Sequence, residues 1–200
     1  MCSIIGYSGE YKKSLVNDIL KNSRIRGLHS FGYCFFENKQ IKIFKFLDYN
    51  DFLKSINKNK PNKFIAHFRY STSGDYKVEK NNQPIQKQNT ALVFNGVIDM
   101  GTKKDMEEIH NVFLETDNDG ELALIKYNES DDSVLDFIKN KTFAGIFINE
   151  NEIKALRNKN RPAYVGFYDD IKIIASTKDI LQRSGVLNFI EMPKNNFYEI

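Results

Sequence analysis

Residues 1–9 read MCSIIGYSG, and the fold turns on what a cysteine does directly behind the initiator methionine. Removal of Met1, routine before a small second residue, would leave Cys2 with a thiol and a free α-amine, a nucleophile and a base on one residue. The apolar, β-branched run SIIGY that follows reads as a buried strand, so Cys2 would stand at the strand's mouth. A chance residue at a frayed terminus is the bland alternative. The rest of the chain decides between the two.

Beyond that strand, Tyr11, Leu15, Val16, Ile19 and Leu20 recur at helical spacing, and Gly27 behind Arg24 and Arg26 marks the helix end. SFGYCFF and IKIFKFL flank the turn-forming ENKQ and predict a hairpin. KFIAHFRYST and TALVFNG read as buried strands ending in polar residues, and KKDMEEIHNVF and SVLDFIKN as amphipathic helices. The last third returns to strands in FAGIFINE, EIKALRN, PAYVGFY, IKIIAST and FYEI. Hairpin-connected strands with helices segregated between them predict an α+β layered fold with antiparallel sheets.

Composition bounds this reading. With 200 residues, 41% of them hydrophobic, the chain can build one sizeable core and is too short for two full domains, so residues 1–200 are expected to form one. The 29 basic and 26 acidic residues, net +3, are spread along the sequence, and no dense block asks for a nucleic-acid partner. Two cysteines, Cys2 and Cys34, make no disulfide framework and suit a reducing compartment. There is no signal-like N-terminus and no apolar run near the ~20 residues of a membrane span, so a soluble, cytoplasmic protein without membrane attachment is expected.

Polar residues gather at strand ends. HFRYSTSG places Arg69, Tyr70, Ser71 and Thr72 behind an apolar run, NNQP follows, and VFNGVID puts Asn95 and Gly96 at the end of another. In ETDNDGELAL, Asp117 and Asp119 open a helix-like segment where carboxylates can cap and face the dipole. Each alone is ordinary: a solvated rim, a tight turn, a cap.

Together, in this order and behind Cys2, they resemble the type-2 (class II) glutamine amidotransferase glutaminase domain, the N-terminal-cysteine branch of the Ntn hydrolases. The likeness is nearest to the domain of the amidophosphoribosyltransferases, whose RYST-x-G and N-x-Q-P elements look like RYSTSG and NNQP. RGLHSFG, ALRNKNRPAYVG, IIASTKDIL and MPKNNFYEI resemble further family segments, so the likeness spans the chain. It implies a four-layer αββα sandwich with two antiparallel sheets and hydrolysis of L-glutamine's side-chain amide through a Cys2 thioester.

The chemistry suits these residue types. A thiol of ordinary pKa, ~8.5, is mostly protonated at neutral pH, whereas an α-amine near ~8 is partly free to take its proton. By resemblance, the Asn95 side chain and the Gly96 amide hold the oxyanion, Arg69 takes the substrate α-carboxylate, Asp119 its α-ammonium, and Tyr70, Ser71 and Thr72 line the pocket. Asp119 is preferred to Asp117 because Asp119-Gly120-Glu121 fits the family's Asp-x-Glu spacing.

Some positions depart from the family. His29 stands where an aspartate is common, and Phe94 where the residue before Asn-Gly is often histidine. His29, His67 and His110 lack metal-ligand spacing and are expected to be structural, as is a buried Cys34. Without that spacing no metal is implied, and with no phosphate-binding loop present no nucleotide site is implied, so no cofactor is expected. The sequence closes with the glutaminase segment, so a separate synthase or transferase subunit is expected to accept the ammonia. It is expected to dock near Tyr76, Val78 and Met100, in loops expected to be mobile when no partner is bound. Alternatives are an N-terminal-cysteine hydrolase of another amide, against which the Arg69–Asp119 pair argues, and a catalytically silent binding module, against which Cys2 and Asn95 argue.

Overall fold

A computed structural model describes residues 1–71, 75–158 and 160–200. The first half runs β1 (Ser3–Ser8), α1 (Lys13–Arg24), β2 (Ser30–Glu37), β3 (Gln40–Phe46), α2 (Tyr49–Asn59), β4 (Lys63–Arg69), β5 (Ile85–Lys87) and β6 (Thr90–Val97). The second runs α3 (Lys103–His110), α4 (Gly120–Glu129), α5 (Asp131–Ile138), β7 (Thr142–Ile148), β8 (Ile153–Arg157), β9 (Tyr164–Tyr168), β10 (Ile171–Ala175), α6 (Lys178–Arg183), β11 (Asn188–Glu191) and β12 (Phe197–Glu199).

The strands form two antiparallel sheets, of order β11-β9-β10-β1-β4-β2-β3 and β12-β8-β7-β6-β5. Three apolar layers follow. Ile4, Ile65, Val93 and Ile146 interdigitate between the sheets, and Cys34 is buried with them. Residues of α1, α2 and α6 close the outer face of the larger sheet around Phe52 and Phe68. Those of α3, α4 and α5 close the smaller one around Phe94, Phe143 and Phe147. The result is the expected four-layer α+β sandwich.

Local chemistry explains the elements. In the β2–β3 hairpin Glu37 pairs with Gln40 across Asn38 and Lys39, both at positive φ (51° and 62°), the geometry that matches strand twist in a two-residue turn. The stretch between β3 and β4, to which the sequence reading gave no element, is α2. Asp48 caps it by accepting from the Asn50 and Asp51 amides at 2.8 and 3.0 Å, Tyr49, Phe52 and Ile56 bury one face, and Lys60 ends it in the left-handed region. The short α6 and edge strand β11 were likewise unassigned.

Candidate active site

The start of β1 is tied down from three sides. Ser3 lies opposite Phe68 in the β1–β4 ladder, which places Cys2 one step on, opposite Arg69. The Ile4 amide donates to Ser176 Oγ at 2.9 Å and Arg26 Nε donates to the Cys2 carbonyl at 3.2 Å. Cys2 Sγ accepts from the Tyr70 amide at 3.4 Å, with the Tyr70 carbonyl 3.7 Å away. Burial pushes the thiol's pKa up, while the Tyr70 amide, the chain's terminal ammonium, Arg69 and Arg26 pull it down. Strand alternation turns Cys2, His67, Arg69 and Asn95 toward the space between the sheets, all at one end of the sandwich.

Arg69 is cradled by the NNQP segment. Its Nη1 donates to Asn82 Oδ1 at 2.6 Å and the Asn81 carbonyl at 3.1 Å, and Asn82 is itself held by Ser30 Oγ and the Tyr76 carbonyl. Asn81 reaches on to Asp117, its side chain donating to Oδ2 and accepting from the backbone amide, both at 3.0 Å. Two strand-end motifs far apart in sequence are thus one polar unit.

The Gly96 amide follows from sheet register. Gly96 pairs with Phe143, whose amide and carbonyl are both engaged by Asn158 on the other side, so this is a non-hydrogen-bonded pair and the Gly96 amide points away from β7. Its neighbours along that edge are taken: the Phe94 amide by Gln83 Oε1 at 2.6 Å, and the Ile98 and Asp99 amides by Asp119 Oδ2 at 2.7 and 3.1 Å. The Gly96 amide lies between these two carriers. A Cβ at this position would collide with the Thr142 carbonyl, so only glycine fits. Asn95 is 3% exposed, and its Nδ2 meets no hydrogen-bond partner among the described residues.

Asp119 stands at the head of α4 but does not cap it, contrary to the reading of a carboxylate facing the helix; Asn118 Oδ1 accepts from the Gly120 amide instead. Asp119 crosses to the β6 edge, where burial raises its pKa and the Ile98 and Asp99 amides oppose the rise. The loop before it is pinned by Glu121, 2% exposed, which accepts from the Glu115 and Thr116 amides and the Thr116 hydroxyl and pairs with Lys87 Nζ at 3.1 Å.

Cys2, His67, Arg69, Gly96, Asp117 and Asp119 share one cleft, which Tyr70 also lines. Its free space is about 50 Å³. Ser71 lies beside this wall with its amide given to His29 Nδ1, Asn95 stands behind Gly96, and Thr72 lies outside the described residues. Neither Arg26, read only as a helix stop, nor Glu121, read only for its spacing, was assigned a site role from the sequence. A larger cavity of about 460 Å³ opens at the opposite end, between residues 35–37, 59–63 and 148–153, and neither Cys nor His lines it. Among the described residues no cluster is placed to hold a metal ion. Among the described residues no helix is long and apolar enough to cross a membrane.

No family model matches the sequence. Two glutamine–fructose-6-phosphate aminotransferases are similar to it: that of Helicobacter pylori J99, 34% identical over 121 residues (57% of this chain, 20% of that protein), and that of Bacillus licheniformis, 28% identical over 193 residues (88% and 32%). Among solved structures, glutamine phosphoribosylpyrophosphate amidotransferase from B. subtilis superposes over the whole chain with a TM-score of 0.73 at 19% identity, covering 49% of that chain. In sequence and in fold the chain is similar to type-2 glutamine amidotransferase domains. A class-II glutamine aminotransferase domain protein from Silicibacter pomeroyi superposes on the whole of this chain over 98% of its own length, with a TM-score of 0.60 at 13% identity. The chain spans about a third or less of the curated relatives it matches.

Proposed function

We propose that this domain hydrolyses the side-chain amide of L-glutamine to glutamate and ammonia, with Cys2 as nucleophile after removal of Met1. The observation that carries the reading is the single cleft shared by Cys2, Arg69, Gly96 and Asp119. Arg69, oriented by Asn81 and Asn82, takes the substrate α-carboxylate, and Asp119, oriented by the Ile98 and Asp99 amides, takes the α-ammonium. The Cys2 amine accepts the thiol proton as sulfur attacks the amide carbon. The Gly96 amide and the Asn95 side chain stabilise the oxyanion, a kind of contact whose loss typically costs about 3 kcal/mol of barrier. The proton passes to the leaving ammonia, and water cleaves the glutamyl thioester. Tyr70 holds the sulfur from the side through its amide and Ser71 supports it; the Thr72 hydroxyl is assigned to the same pocket by resemblance alone.

Residues 1–200 act as one glutaminase unit in this reading, and a separate synthase or transferase accepts the ammonia, because ammonia protonated in water is no nucleophile. Met100, 90% exposed at the edge of the Asp119 region, and Val78 offer the apolar docking points. The test is glutamate release by protein shown by mass spectrometry to begin at Cys2, alone and with a co-purified partner. Turnover is expected and Cys2→Ala is expected to abolish it. Absence of both turnover and a 6-diazo-5-oxonorleucine adduct on Cys2 under either condition refutes the proposal.

A further inference from the structure

The position where the family commonly carries aspartate holds His29, and nothing in the chemistry above uses it. Its surroundings are specific. The ring is stacked between Tyr70 and Tyr76, with centroids 4.9 and 5.0 Å away and interplanar angles of 25° and 21°. Its Nδ1 accepts from the Ser71 amide at 2.8 Å, and its own amide donates to the Arg69 carbonyl at 3.0 Å. An Nδ1 that accepts from a backbone amide carries no proton, so the ring is the neutral Nε2–H tautomer. Tyr70 in turn places its amide on Cys2 Sγ and Tyr76 gives its carbonyl to Asn82, the residue that orients Arg69.

We infer that His29 is a positioning residue for the nucleophile: by fixing Tyr70 and Ser71 it keeps the Tyr70 amide aimed at the Cys2 sulfur. An amide that donates to sulfur favours the thiolate over the thiol. Loosening Tyr70 therefore makes the thiol harder to ionise, even though His29 touches neither sulfur nor substrate. Of the other groups that act on the sulfur, the terminal ammonium and Arg26 approach from elements that His29 does not hold through its ring, whereas Arg69 is linked to the ring through Tyr76 and Asn82, a link that an aromatic ring at position 29 keeps.

This rests on Cys2 being the nucleophile, but its test needs no glutamine. Iodoacetamide alkylates a thiolate, sulfur displacing iodide, and Cys34 is fully buried and out of reach. In His29→Phe, which keeps the aromatic sandwich but has no acceptor for Ser71, alkylation of Cys2 at neutral pH is expected to slow roughly three- to tenfold, its pH midpoint moving up accordingly. In His29→Asn, whose side-chain oxygen can accept the Ser71 amide, part of the rate is expected to return. A His29→Phe profile that overlays the parent overturns the inference. Nitrogen-15 NMR of the unaltered protein gives a check independent of any variant's folding: an Nδ1–H tautomer at His29 also overturns it. Failed glutamine turnover with an intact His29 effect on alkylation would count against the glutaminase reading alone.

Discussion

Asp119 shows how one residue's surroundings set its use. Burial raises its carboxyl pKa, so the folded state holds the proton more tightly than the unfolded chain does. The sign follows: its charge is unfavourable to the fold, and that contribution to stability falls as pH rises from the ordinary carboxylate value through the raised one. Asp119→Asn keeps an acceptor for the Ile98 and Asp99 amides, so its melting temperature at pH 7 is expected to equal or exceed the parent's, while kcat/KM for glutamine falls about tenfold or more for want of the ammonium's partner. In the parent, KM should climb on acidification at a higher pH than an ordinary carboxylate, ~4, would dictate. Steady-state kinetics from pH 4.5 to 8 and thermal melts check both. Asp117→Ala should be milder, and the reverse order would mean that Asp117 takes the ammonium.

At the scale of elements, Glu121 is the residue on which the 115–119 loop depends. Its carboxylate satisfies two backbone amides and a hydroxyl and pairs with Lys87. Glu121→Ala leaves those donors without their acceptor and Lys87 with only Glu115 Oε1 at 3.6 Å and the Phe113 carbonyl at 3.5 Å, and is expected to cost about 3 kcal/mol in a denaturant melt. A change below about 1 kcal/mol would show that water replaces the carboxylate at no cost. The sequence revealed much at this level, because strands with β-branched runs and helices with clear apolar stripes are local signals. Its N-terminal cysteine and strand-end polar motifs also pointed to Cys2, Arg69, Gly96 and Asp119, which the fold brings to one cleft. What it hid is non-local. Arg26 reads as a basic helix end until its guanidinium is seen on the Cys2 carbonyl, and Asn118 in place of Asp119 as the cap depends on an attraction across to β6. Helix α2 was a different case: Asp48, Phe52 and Ile56 form a legible capped stripe that the surrounding strands overshadowed.

At the scale of the molecule, His67 ties acid stability to the site. It is 1% exposed between the sheets, no described residue meets its ring nitrogens in hydrogen-bond geometry, and burial together with Arg69 lowers its pKa to about 3, the Phe94 backbone opposing only in part. In the unfolded chain a histidine binds its proton below ~6.5, so the unfolded state takes up more protons between that value and about 3. Stability should therefore fall as pH drops through this window, by at most ~1.4 kcal/mol per unit from this residue, and be whole above it. Denaturant melts at pH 7, 5.5 and 4.5 should show a flatter decline in His67→Asn than in the parent; equal slopes would remove His67 from the account. The 50 Å³ cleft has a consequence of another kind. Should glutamine need a wider form than this one, binding would draw on whatever share of the population holds that form. If the receptive form were about one molecule in a hundred, apparent affinity would be about a hundredfold weaker than the intrinsic one. Any partner that favours that form would return the difference, and by reciprocity glutamine would tighten the partner by the same factor.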